Sequence, residues 1–162
     1  MKRTAEISKC GLYRYRLDRS WAPERGQVCW IMLNPSTADA EVDDATIRRC
    51  IGFTERFGRG ELVVVNLFGF RSTNPKQLWR ATDPSGPENG NWIIKEICRA
   101  DIVVAAWGAL KRPLPEIVYD VSNAAQYFQK ELQCLGATKH RDPRHPLYVR
   151  GDKELEPWDL VE

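Results

Sequence analysis

The sequence predicts an α/β fold: one three-layer α/β/α domain over residues 1–162, with a four-stranded, mainly parallel sheet and an N-terminal hairpin or edge strand. Three observations predict it. Uncharged apolar runs of strand length recur at residues 28–33, 62–65 and 102–107, as strands buried on both faces do. Segments with helical apolar spacing alternate with these runs, which gives βαβ units and hence parallel neighbours. The 162 residues, 43% of them hydrophobic, are enough for one sizeable core.

The elements follow in order. Residues 7–21 alternate loosely and carry Leu12, Tyr13, Tyr15 and Leu17, the pattern of a hairpin or edge strand. The first buried strand, 28–33, stops at Asn34-Pro35, because proline has no N–H for a ladder. Ser36, Thr37, Asp39, Asp43 and Asp44 then supply helix-capping chemistry. Ile47, Cys50, Ile51 and Phe57 mark a helix over 46–57, ended by Gly58 and Gly60. Arg48 and Arg49 fall off that apolar face and are expected to be solvated or to face phosphates.

Residues 61–66 form the second strand, ending in Asn66, and 67–75 reads as a loop carrying Phe68, Arg71 and Thr73. Turn chemistry at 83–87 precedes a helix over 91–99. The third strand, 101–107, ends at Trp107-Gly108, and a long helix is expected over 115–132. A short fourth strand, 133–136, leads into a tail containing His145.

Composition narrows the function. A net charge of +2 announces no general affinity for nucleic acid. Residues 139–153 are locally basic, with Lys139, Arg141, Arg144, Arg150 and Lys153 against Asp142 and Asp152, and read either as a phosphate-contacting segment or as a solvated tail. The five cysteines show no paired spacing; Cys29, Cys50, Cys98 and Cys134 are expected to be buried thiols. No metal, no cofactor and no membrane segment is expected, and a reducing, cytoplasmic setting follows. Neither a GxSxG elbow nor a Gly-rich phosphate loop is present.

The candidate chemistry sits where strands end. Asn34, Asn66, Trp107 and His145 all follow predicted parallel strands, whose carboxyl ends line one crevice in open α/β sheets. Asparagine amides can make paired hydrogen bonds to a base edge, aromatic faces stack on bases and arginines hold phosphates. The combination points to nucleobase recognition. Asp43-Asp44 reads as capping rather than catalytic.

Met32-Leu-Asn-Pro-Ser-Thr-Ala-Asp-Ala40, Val65-Asn-Leu-Phe68 with Arg71-Ser-Thr73, Ala106-Trp-Gly108 and Pro143-Arg-His-Pro-Leu-Tyr148 resemble the bacterial and phage family known as domain of unknown function 1643. More distantly, the order of motifs is similar to that of the uracil-DNA glycosylase superfamily. That resemblance implies an N-glycosidic hydrolase acting on a damaged or modified base in DNA. It implies that Asn34 positions the attacking water, Asn66 reads the base edge, His145 stabilises the departing base and Leu147 wedges into the duplex. Ser36 stands where uracil-specific members carry a tyrosine, which implies a wider pocket. Phe53 and Phe68 are the candidates for base stacking; Ser36, Phe68, Arg71, Trp107, Arg144 and Arg150 complete the expected substrate contacts. Two other functions fit the same residues: a hydrolase or binder of free nucleotides or nucleosides, and a non-catalytic nucleic-acid or protein-binding module.

Overall fold

The computed structural model describes residues 1–110 and 113–160. Its backbone is one mixed sheet with helices against both faces. The strands are β1 (Lys2–Ile7), β2 (Arg14–Ser20), β3 (Gln27–Met32), β4 (Glu61–Asn66), β5 (Ile102–Ala105), β6 (Leu132–Cys134) and β7 (Glu156–Pro157). The helices are α1 (Ala45–Arg56), α2 (Pro75–Arg80), α3 (Asn89–Arg99) and α4 (Glu116–Tyr127).

The strand order is β1-β2-β4-β3-β5-β6-β7. β4, β3, β5 and β6 run parallel and make the centre, whereas β2 joins β4, β1 joins β2 and β7 joins β6 antiparallel. The expected sheet of four strands is therefore corrected to a mixed sheet of seven among the described residues. The cause lies in β2. With β1 it forms the expected N-terminal hairpin, yet it is no free edge: it is an interior strand, in register with β4 from Leu17↔Val64 to Ser20↔Glu61.

Its charge hid this from the sequence. Arg14, Asp18 and Arg19 are buried, and ion pairs make that tolerable for two of them: Arg19 meets Asp43 at 2.8 Å, and Asp18 meets Arg16, which also reaches Glu96 at 2.9 Å. Glu96, on α3, is itself fully buried.

The period of two sorts the strand residues between two cores. Cys29, Ile31, Val63, Val65 and Val103 pack beneath α2, α3 and α4, meeting Leu78, Ile93, Ile97, Val118 and Val121. Val28, Trp30, Met32, Leu62, Val64 and Val104 pack against Ile47, Cys50 and Phe53 of α1 on the other face. Trp30 donates its indole N–H to Thr54 at 3.0 Å, so the buried ring keeps a partner.

Further expectations are corrected. The loop over 67–75 is followed at once by α2, capped by Asn74 with Pro75 at its first turn. The long helix over 115–132 is shorter, because Phe128 already leaves helical geometry and Gln129 has φ of 55°. Cys98 is exposed, since it lies on the outer side of α3; Cys29, Cys50 and Cys134 are buried, and all five thiols are free. No helix among the described residues is long and apolar enough to cross a membrane.

Candidate functional site

The carboxyl ends of β3, β4 and β5 open into a cleft of about 700 Å³. Asn34, Ser36, Asn66, Trp107, Arg144 and His145 all line it. Three local devices hold its walls. The β3–β4 ladder runs past the strands, through Leu67 N–H to Met32 and Phe68 N–H to Leu33. Asn34 then ties the two following turns together by donating its side-chain amide to the Ser72 carbonyl at 2.9 Å, with Pro35 and Phe70 carbonyls close by. With carbonyl oxygens around its nitrogen, the orientation of that amide is determined, and Oδ1 is left as an acceptor.

The third device places the histidine. Gly108, at φ of 81°, donates to the Pro143 carbonyl at 2.9 Å and so draws the 136–145 segment across the end of β5. His145 Nδ1 accepts from the Leu147 N–H at 3.1 Å, capping a 3-10 turn over Pro146–Tyr148. That bond fixes the neutral tautomer with its proton on Nε2, where it can be donated. Burial lowers the His145 pKa, while Asp44 pulls it the other way, and burial is the larger effect. The ring also lies 5.5 Å from that of Tyr148, another cleft residue.

Asn66 is the most unusual member. It is 1% exposed, yet neither Oδ1 nor Nδ2 has a hydrogen-bond partner among the described residues. Its backbone is held from behind: Asn89 Nδ2 donates to the Asn66 and Leu67 carbonyls at 2.9 and 3.2 Å. The side chain is thus aligned without being satisfied. The Trp107 indole N–H is also buried without a partner among the described residues, while its ring packs edge-on against Trp158 at 5.1 Å. Buried polar groups normally find partners, so two such residues lining one cleft mark a binding surface.

A family model described as "Protein of unknown function (DUF1643)" matches residues 14–147. The chain belongs to this family. No curated protein and no solved structure gives a match. Every cleft residue named above except Tyr148 falls within the matched region of this DUF1643 chain.

Several residues expected at the site lie elsewhere. Phe68 is buried against Trp79, with ring centroids 5.4 Å apart, and Phe53 is buried on the inner face of α1 near Trp30 and Phe57. Neither lines the cleft, and the aromatic rings that do are Trp107 and Tyr148. Arg150 points outward and pairs with Asp152 at 2.9 Å, while Leu147 is exposed beside the cleft rather than within it. Arg71 donates to the Gly11 carbonyl at 3.3 Å and stays outside the lining. Arg49 turns from solvent to bond the Pro146 and Val149 carbonyls, which fastens the histidine turn to α1.

One residue of the cleft was invisible in the sequence pattern. Because β2 runs antiparallel to β4, its first residue, Arg14, lies at the carboxyl ends of the parallel strands and lines the cleft. Its Nη1 donates to the Ala38 carbonyl at 2.7 Å, and Nε has no partner among the described residues. Burial lowers its pKa to about 10, so it is still a cation at neutral pH. Asp44 also faces the cleft, with Oδ1 capping α1 through the Ile47 N–H at 2.9 Å. Among the described residues, no group of three or more His, Cys, Asp or Glu could hold a metal ion.

Proposed function

We propose that this protein is an N-glycosidic hydrolase that recognises a damaged or modified base in DNA and releases it from the sugar. The observation that carries the reading is Asn66, whose donor and acceptor are both buried and uncommitted in the lining of the cleft. A side-chain amide in that state complements an adjacent acceptor and donor, the pattern on the edge of a base.

The other cleft residues fit the steps. Asn34 has its amide N–H groups engaged by backbone, so Oδ1 is the atom available to orient a water molecule. As a neutral amide it cannot take the proton, which passes to solvent as the water oxygen bonds to the sugar carbon. The glycosidic carbon–nitrogen bond breaks with its electron pair on the base. The Nε2–H of neutral His145 would donate to that departing charge, an interaction worth about 3 kcal/mol of barrier in comparable sites. Arg144 at the cleft, and exposed Leu147 beside it, are placed to meet a phosphate and the gap in a base stack when a nucleotide is flipped.

Mass spectrometry of bases released from diverse genomic and phage DNAs tests the reading. Release by the wild-type chain is expected, with loss in Asn34→Ala and His145→Ala. If no base is released from any DNA or modified-base duplex, the proposal fails.

A further inference from the structure

The three arginines of β2 differ in one respect. Arg16 meets Glu96 and Asp18, and Arg19 meets Asp43, so each has a carboxylate partner. Arg14 is just as enclosed, at 3% exposed, and forms no ion pair among the described residues. Among the described residues, its Nη1 bonds only a backbone carbonyl and Nε bonds nothing. Asp44 and Asp39 act on it electrostatically, but neither bonds it: Asp44 Oδ1 caps α1, and Asp39 Oδ1 accepts the Glu41 and Val42 N–H groups.

A buried cation without a counterion is costly, and its charge is retained here at neutral pH. Arg16 and Arg19 show that β2 can recruit carboxylates where the fold alone needs them. Arg14 lines the cleft instead, on a wall that also carries the Trp107 indole, the Nε2–H of His145 and the guanidinium of Arg144, with Asp44 as the one carboxylate among the described lining residues. Such a surface suits a ligand that brings negative oxygen atoms.

We infer that Arg14 forms an oxyanion subsite in the cleft, which takes a phosphate or carboxylate group of the bound molecule. This concerns the cleft to which glycosidic chemistry is assigned above, but it rests on Arg14 and holds for any reaction there. The anionic group has two possible sources: the phosphate of a nucleotide, or an acidic substituent on the base.

Isothermal titration of the full chain with two matched pairs tests it. One pair is a nucleoside 5′-monophosphate and its nucleoside; the other is uracil-6-carboxylate and uracil. A charge-assisted contact should make the anionic member of one pair bind about 10-fold or more tightly than its neutral parent. Which pair discriminates identifies the source. Arg14→Gln should abolish the discrimination, and Arg14→Lys should keep part of it. In the wild-type chain, the Arg14 Nε–H NMR signal, assigned by correlation to its own backbone, should shift with the anionic ligand and not with its parent. This second reading needs no variant to fold. Equal binding within both pairs, discrimination that survives Arg14→Gln, or an unmoved Nε–H signal would each overturn the subsite. Discrimination without base release from any DNA would leave the subsite standing and remove the glycosidic reading.

Discussion

Asn66→Leu separates function from stability at the cleft. Leucine has the same number of side-chain heavy atoms and the same branching, so the change removes polarity while keeping shape. In the wild type both amide atoms are buried without partners, and an unsatisfied buried polar atom costs about 1–3 kcal/mol. Part of that is recovered wherever the cleft is wet, so the variant should be more stable by about 1–2 kcal/mol. For a chain of this size that is a rise in Tm of about 2–8 °C. Thermal unfolding followed by circular dichroism, with the urea midpoint as a second measure, reads it, and an unchanged m-value shows that the native state is intact. Base release should be lost in the same variant. Asn89→Leu is the counter-case, because its amide bonds the Asn66 and Leu67 carbonyls; it should cost about 2 kcal/mol. A loss of more than about 1 kcal/mol in Asn66→Leu would refute the reasoning, since the amide would then be structural.

His145 has a folded pKa below its ordinary value because of burial, so the unfolded chain binds the proton more readily. Stability should therefore fall as pH drops below about 6.5, and that slope should diminish in His145→Gln when urea denaturation is compared across pH 5–8. Base release should decline only at more acidic pH, below the lowered folded pKa of His145, where protonation of Nδ1 breaks its bond from the Leu147 N–H and releases the ring. Asn34→Ala should lose base release and also about 1 kcal/mol of stability, because the tie to the Ser72 carbonyl goes with it; a urea midpoint unchanged from wild type would contradict that tie. Gly108→Ala forces a Cβ onto a residue with φ of 81° and should cost about 1 kcal/mol. Its new methyl would lie 3.4 Å from His145 Cβ, so the His145 ring signals should shift in an NMR spectrum of the variant.

The parts of the fold that were legible are those whose burial is written in composition. β3, β4 and β5 are buried on both faces, so their interiors (28–32, 62–65 and 102–105) are apolar and the runs stand out. β2 is as interior as they are, but Arg16 and Arg19 are neutralised by Glu96 and Asp43, 80 and 24 positions away, and Arg14 pairs with no carboxylate among the described residues. No local period records such pairing. α2 did announce itself through Asn74-Pro75, yet at six residues it was too short to separate from the loop before it.

The same distinction holds at the cleft. Asn34, Asn66, Trp107 and His145 follow parallel strands, where a chain-order argument places them together. Arg14 enters from an antiparallel strand, so the residue that matters is at its beginning, and direction cannot be read from composition. Phe68 lies elsewhere for a simpler reason: a place near a strand end in sequence does not decide which way a side chain turns, and Arg150, in the basic segment, pairs with neighbouring Asp152.

The two outer strands have a consequence of their own. β1 presents Lys2, Arg3 and Glu6 along one border of the sheet, and β7 ends the other after two residues, the second of them Pro157. Charge at one margin and a missing N–H at the other both discourage the docking of a further strand. The sheet is thereby closed to lateral growth, which guards a seven-stranded platform against stacking edge to edge with its own copies. Recognition is left to the end of the sheet, where the strands stop and the side chains of the cleft begin.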